Sequence, residues 1–244
     1  RMQPECEVIF ASNFGECGFV YSRIQNTPSL HGLTLFDISS KSSNKTNMFR
    51  NASKSLFMSD HGGELWMNSA VRFFVIEDVM RYYGYHSVLH VEADNMLYGS
   101  INSIWSTLQL NYTSMTATRL TPGRFVTASV LWVPRLETLT MLNDYLIDLA
   151  LGDRNGTWKG YIQYLRVNNC ITTRSNGIEG HTGSAVKPFC VNEMSMLAYF
   201  DYLFPGNFSY LPLMPTLDFK PAQQQRADYA LGGSKTRGPI GVGI

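Results

Sequence analysis

The 244-residue chain is sparing with charge: Asp, Glu, Lys and Arg together make up only 16% of it, against roughly a quarter in an average soluble protein. It also lacks an excess of either sign, with 20 basic residues against 19 acidic ones. A protein that grips nucleic acid carries a basic excess or stripe, so that class is excluded as a partner. The small net charge and 44% hydrophobic content exclude disorder as well. No run of 18 or more apolar residues exists to span a bilayer, and no signal peptide opens the chain. The chain starts at Arg1-Met2 and stops in a Gly-rich stretch, so it reads as a segment of a longer protein. Any membrane link would run through an anchor outside that segment.

Cysteine is scarce, and Cys6, Cys17, Cys170 and Cys190 include no CxxC pair and no partnered histidine. That excludes a zinc ribbon or finger. Two short loops, one closed by Cys6 and Cys17 and the other by Cys170 and Cys190, are compatible with the spacing; four free buried thiols are the other reading. Asn-x-Ser/Thr sequons begin at Asn44, Asn51, Asn111, Asn155 and Asn207. With the even cysteine count they tilt the expectation toward the secretory pathway. What the chain has in quantity is aromatic residues, 13% of the total. These serve cores first, and polar neutral ligands such as sugars second.

The periodicity predicts an α/β layered sheet. Short apolar runs at Val8-Ile9-Phe10 and Phe19-Val20-Tyr21 read as strands, and the polar stretch Ser39–Ser55 as a solvated loop. Glu64–Tyr83 is the clearest helix, stopped by Gly84. A strand over His86–Val91 follows, then a helix over Ser100–Leu110. Phe125–Val133 reads as a central strand, and Pro134 leads into a helix striped by Leu136, Leu139, Leu142, Leu146 and Leu149. Gly152–Gly160 reads as a turn region and Cys170–Pro188 as a long polar loop. Asn192 caps a last helix over Glu193–Leu203.

The chemistry concentrates after the His86–Val91 strand, in Glu92-Ala93-Asp94-Asn95. Residues two apart on an extended chain point the same way, about 7 Å apart. Glu92 and Asp94 therefore project together where a strand leaves the sheet, the place where open α/β sheets bind ligands. Two hard oxygen donors there suit Mg²⁺ or Mn²⁺ holding a diphosphate. Ordinary surface or capping carboxylates are the alternative.

Glu64-Leu-Trp-Met-Asn-Ser-Ala-Val-Arg72 followed by His90-Val-Glu-Ala-Asp-Asn-Met-Leu-Tyr98 resembles a GT-A type glycosyltransferase. In that family a helix precedes a strand ending in a DxD-like motif. Phe125–Val133 with its leucine-rich helix resembles the acceptor-side strand and helix, and Asn192–Leu197 the late acidic motif opening a helix. The resemblance covers roughly Leu56–Phe204. It implies a single GT-A (Rossmann-like) domain over 1–244, with a mixed, mostly parallel sheet flanked by helices and with 221–244 as a flexible tail or lid. It also implies transfer of a sugar from a nucleotide-sugar donor to a glycan or glycoprotein hydroxyl in the secretory pathway, in the Golgi lumen or at its membrane.

The resemblance assigns roles residue by residue. Asp94 is the better ligand for Mn²⁺ or Mg²⁺. Glu92, where the family usually has Asp, shares the cation, reaches it through water or sits nearer the ribose. His181, in the Gly-rich loop, is a third metal ligand or an acceptor contact. Arg72 and Asn95 join the nucleotide-sugar set, and Lys235 does so from the tail. Glu193 is the base that deprotonates the acceptor. Each has a plainer alternative: Arg72 paired with Glu77 or Asp78 on the helix, Glu193 as a capping-region acid, and 221–244 as an inert tail. Gly232-Gly-Ser-Lys-Thr236 fails the phosphate-loop spacing. His90 points the same way as Glu92, although a buried strand histidine usually bonds to backbone. Two other functions remain open: a catalytically silent carbohydrate-binding domain of this fold, and a metal-dependent phosphoester hydrolase.

Overall fold

A computed structural model describes residues 7–15, 18–28, 33–54, 63–92, 95, 101–121, 125–152, 156–168, 171–172, 178–179, 185–186 and 191–211. Strand β1 (Val8–Ser12), helix α1 (Gly18–Gln25) and strand β2 (Leu33–Asp37) open the described chain, followed by helices α2 (Ile38–Lys41), α3 (Asn44–Ser53) and α4 (Gly63–Tyr83). Then come β3 (Val88–Val91), α5 (Ile101–Asn111), the paired strands β4 (Met115–Thr121) and β5 (Phe125–Val133), and helices α6 (Leu136–Ala150) and α7 (Thr157–Val167). Three two-residue strands, β6 (Ile171–Thr172), β7 (Ile178–Glu179) and β8 (Ala185–Val186), precede α8 (Glu193–Leu203) and β9 (Phe208–Tyr210). The fold is mixed α/β.

The central sheet has the order β3-β5-β4-β9. β5 is antiparallel to both β3 and β4, whereas β4 and β9 are parallel. Strands β3, β4 and β9 therefore run one way and β5 alone runs against them. Phe125–Val133 is an interior strand, as its β-branched, apolar sequence predicts, and its last four residues are all buried. β1 and β2 form a separate parallel pair, and β6, β8 and β7 a small antiparallel sheet.

Helix α4 is the axis of the molecule. From Ala70 to Met80 every residue is buried except Arg72, which is only partly exposed. A helix apolar on all sides belongs inside, and this one packs against α3, α6, α8 and β3. Gly84 ends it with φ of 72°, a left-handed conformation that glycine adopts without a Cβ penalty. Because α4 is enclosed, each charge on it has to be matched. Asp78 accepts from the Ser43 backbone N–H at 3.0 Å and the Thr46 hydroxyl at 2.6 Å. Glu77 accepts from Asn143 at 2.7 Å, Arg81 Nη2 at 2.7 Å, Thr140 at 3.1 Å and Lys45 at 3.2 Å. These contacts tie α3, α4 and α6 together.

Several sequence expectations are corrected. Phe19-Val20-Tyr21 lies in helix α1 and not in a strand; three consecutive apolar residues fit either period, so neighbouring turns decide. Ser39–Ser55 is largely helical. The serines that suggested a loop are the caps: Ser43 accepts from the Thr46 N–H, and Phe49 sits fully buried, its ring 4.4 Å from that of Phe74. The turn predicted through Gly160 ends earlier, since Thr157 already begins α7. Strand β4 and helix α7 were not expected from the sequence.

Gly160 has a packing role inside α7. A Cβ at this position would stand 2.2 Å from the Tyr199 hydroxyl oxygen, and that ring is wedged among Tyr145, Tyr161, Tyr164 and Tyr202. Gly160→Ala should therefore destabilise the protein by about 1–3 kcal/mol through overpacking, exceeding the roughly 1 kcal/mol gained in helix propensity. A urea titration showing a midpoint unchanged or raised would refute this.

Candidate functional site

Arg72, Glu92 and Glu193 come from distant parts of the sequence and meet in one cluster. Glu92 follows β3, and its backbone N–H prolongs the ladder by donating to the Ser129 carbonyl at 2.9 Å. The chain then turns, with the Asn95 N–H donating back to the Glu92 carbonyl at 3.0 Å and the Asn95 side-chain amide to Ser129 at 3.3 Å. Asn95 thus pins the loop entrance to β5. Glu193 is the first residue of α8, where the helix dipole favours a carboxylate. Asn192 caps that helix with a full capping box shared with Ser195, which fixes where the Glu193 side chain starts.

Arg72, in the third turn of α4, closes the cluster. Its Nε donates to the Ser69 carbonyl at 2.6 Å. Nη1 is hydrogen-bonded to Glu92 Oε1, and Nη2 donates to Glu193 Oε1 at 3.2 Å. Arg72 therefore pairs with neither Glu77 nor Asp78, the alternative partners on its own helix. Nor is Glu193 an exposed capping acid, being only 4% exposed. The guanidinium fork suits this double contact, because its donors lie in one plane and serve two acceptors at once.

Electrostatically the cluster holds one cation against two carboxylates. Burial pushes the Glu193 carboxyl above its ordinary range, with the Arg72 charge acting against that rise. His90, two residues before Glu92 on β3, is pushed down to about 4 by burial and then by the positive charge of Arg72, so it is neutral at physiological pH. His90 Nε2 makes no hydrogen bond to a described residue. Among the described residues, that nitrogen, Glu193 Oε2 and Asn143 Oδ1 are the buried side-chain polar atoms without a hydrogen-bond partner.

Of the predicted metal set, Glu92 alone is described; Asp94 and His181 lie outside the described residues, as do Lys235, the four cysteines and 221–244. No group of three His, Cys, Asp or Glu side chains suited to a metal ion occurs among the described residues. Mg²⁺-like cations take one or two carboxylates and complete their shell with water and substrate phosphates. A carboxylate at the strand end, next to Asp94 in sequence, fits that donor chemistry, with Oε1 of Glu92 already committed to Arg72. No described helix is long and apolar enough to cross a membrane.

Scanned against known protein families, curated proteins and solved structures, the chain matches none.

Proposed function

We propose that the chain is the catalytic domain of a metal-dependent glycosyltransferase of the GT-A type, acting on a nucleotide-sugar donor and a glycan or glycoprotein acceptor in the secretory pathway, in the Golgi. The observation that carries this reading is the convergence of Arg72, Glu92 and Glu193 at the carboxyl end of β3. The resemblance to the GT-A family implies a common site for these three residues. The order helix, strand, acidic turn, interior strand and late helix with an acidic first residue supports the same reading.

In this mechanism Glu193 accepts the proton of the acceptor hydroxyl. The hydroxyl oxygen then bonds to the anomeric carbon while the bond to the diphosphate oxygen breaks, and that electron pair leaves with the nucleoside diphosphate. A carboxyl shifted upward by burial is a stronger base than an ordinary one, which suits general-base work. This role belongs to an inverting reaction; a retaining one has no nucleophile among these residues. Asp94 and Glu92 hold Mn²⁺ or Mg²⁺, with His181 as the further ligand or acceptor contact. The bound cation supplies charge stabilisation of the departing diphosphate. Arg72 and Lys235 bring positive charge to the phosphates, and Asn95 belongs to the same nucleotide-sugar-binding set.

Binding of nucleoside diphosphates with and without Mn²⁺ tests the reading. Wild type should bind one of them in a Mn²⁺-dependent manner, and Asp94→Ala should weaken that binding at least tenfold, about 1.4 kcal/mol. Metal-independent binding indifferent to Asp94→Ala would sink it. One observation favours a second reading, a catalytically silent carbohydrate-binding domain: Glu92 is already paired with Arg72. That reading expects glycans to bind and nucleotides not to bind, whether or not Mn²⁺ is present.

A further inference from the structure

Two of the Asn-x-Ser/Thr sequons fall in helix α3, at Asn44-Lys45-Thr46 and Asn51-Ala52-Ser53. Seven residues make just under two helical turns, so Asn44 and Asn51 stand one above the other, about 10 Å apart along the axis. Both are exposed, as are Asn47 and Met48 between them. The opposite face carries Thr46, Phe49 and Ser53, all buried, where α3 packs on α4 and α6. Among the described residues, neither side-chain amide of the pair is held by a hydrogen bond. The other described sequons differ. The Asn111 amide donates to the Thr107 carbonyl at 2.9 Å, and that of the half-buried Asn207 to the Phe204 carbonyl at 3.4 Å.

We infer that α3 is a doubly modified helix, bearing N-linked oligosaccharides at Asn44 and Asn51. This rests on the secretory part of the reading above and is independent of the transferase chemistry. In the modification, Nδ2 of the asparagine bonds to the anomeric carbon of a lipid-diphosphate-linked oligosaccharide. The bond from that carbon to the diphosphate oxygen breaks, its electron pair leaves with the lipid diphosphate, and the amide gives up one proton. So bulky and polar a substituent is tolerated only where the side chain is open to water, which the outer face of α3 supplies twice. The sequon hydroxyls have a second use. Thr46 donates to the buried Asp78 carboxylate at 2.6 Å, and Ser53 to the Arg50 carbonyl at 3.4 Å. Both are enclosed once α3 has seated, so the enzyme that reads them acts earlier, on the chain as it enters the lumen. Met48 lies four residues from Asn44 and three from Asn51, the spacing of direct neighbours on a helix. The two glycans therefore flank and cover an exposed apolar side chain.

Peptide mass spectrometry tests this on two samples: the full chain carried into the secretory lumen of a eukaryotic cell line by an added, cleavable signal peptide, and the protein isolated from its source cells. Enzymatic release of N-glycans in H₂¹⁸O converts each formerly modified asparagine into ¹⁸O-labelled aspartate. Asn44 and Asn51 should be labelled in most molecules of both samples. Asn44→Gln and Asn51→Gln should each remove one glycan step in gel mobility, and the double variant two steps. Thr46→Ser, which keeps a sequon and a donor for Asp78, should stay modified at Asn44, whereas Thr46→Val should not. The last comparison is made on total cell extract, so that it holds even where the variant fails to fold. The assignment is overturned if Asn44 or Asn51 is unlabelled in the lumen-directed chain, or if Thr46→Val keeps its Asn44 glycan. If the lumen-directed chain carries both glycans and the protein from source cells lacks them, the secretory reading falls and the native modification with it.

Discussion

Arg72→Ala is expected to destabilise the protein by about 3–5 kcal/mol, the range for removing one partner of a buried ion pair. The side chain is 15% exposed and that of Glu193 only 6%, so water cannot readily take over when the guanidinium goes. Two carboxylates would then face each other without a cation. Glu193 already titrates above its ordinary range because burial disfavours its charge, and Arg72 is the largest restraint on that rise, ahead of the backbone N–H groups of Glu193 and Met194. Removing it pushes the carboxyl higher still. The sign follows from linkage: an acid whose folded pKa exceeds its unfolded value contributes stability below the unfolded pKa and loses it as pH rises through the folded one. The variant should therefore be most destabilised at neutral pH and partly recover in mild acid. Combining Arg72→Met with Glu193→Leu should regain much of the loss, because apolar replacement of both partners is often neutral. Urea unfolding across pH measures all three outcomes. A single variant as stable as wild type at neutral pH would show that the cluster carries no net interaction.

Glu77→Ala should have a comparable effect for a different reason, about 3–5 kcal/mol from the loss of a buried charge with several donors aimed at it. Glu77 is 3% exposed. Its removal leaves Lys45, among the described residues, with only the exposed Asp144 at 2.7 Å as an ionic partner, and takes one of two acceptors from the Asn143 amide, which keeps the Phe73 carbonyl at 3.1 Å. Burial by itself would raise the Glu77 carboxyl, but hydrogen bonds from Asn143 and Arg81 and the charge of Lys45 outweigh it and hold the group below its ordinary range. A depressed folded pKa contributes stability above the unfolded value, lost as pH falls through the folded one. Wild type should lose part of its stability in acid through this group, and Glu77→Gln should show a shallower acid limb. An equally steep limb in that variant would assign the acid sensitivity elsewhere. The Glu77 network lies on the α3 and α6 side of α4, so this variant should lose stability without a specific loss of nucleotide affinity per folded molecule.

Much of the scaffold was legible because its signals are local. α4 and α6 show in their apolar spacing, the end of α4 in Gly84, and α8 in Asn192, whose side chain meets the Ser195 N–H as the capping pattern predicts. The interior position of β5 follows from a run of β-branched and apolar residues. The polar segments misled. Ser39–Ser55 is rich in loop-forming residues, yet Phe49 and Thr46 reach into the core from α3, and burial outweighs weak propensity. β4 carries little local signal, because its Thr116 and Thr118 are polar residue types even though both are buried in the sheet.

The chain alone determined that a carboxylate pair follows a strand, that an arginine sits on the preceding helix, and that an acid opens the last helix, because each depends only on spacing within a few residues. Only the tertiary structure decided what Arg72 does. Along its own helix Arg72 has Glu77 and Asp78 five and six residues further on. The packing of α4 against β3 and α8 instead sends it to Glu92 and Glu193, while α3 and α6 bring Lys45 and Asn143 to Glu77, which also takes Arg81 at the i,i+4 spacing of its own helix. In a chain so sparing with charge, an enclosed helix must match each of its ions with whatever the neighbouring elements bring. Which ions meet across elements is therefore settled by three-dimensional packing, whereas the Glu77–Arg81 pair follows from helix spacing alone.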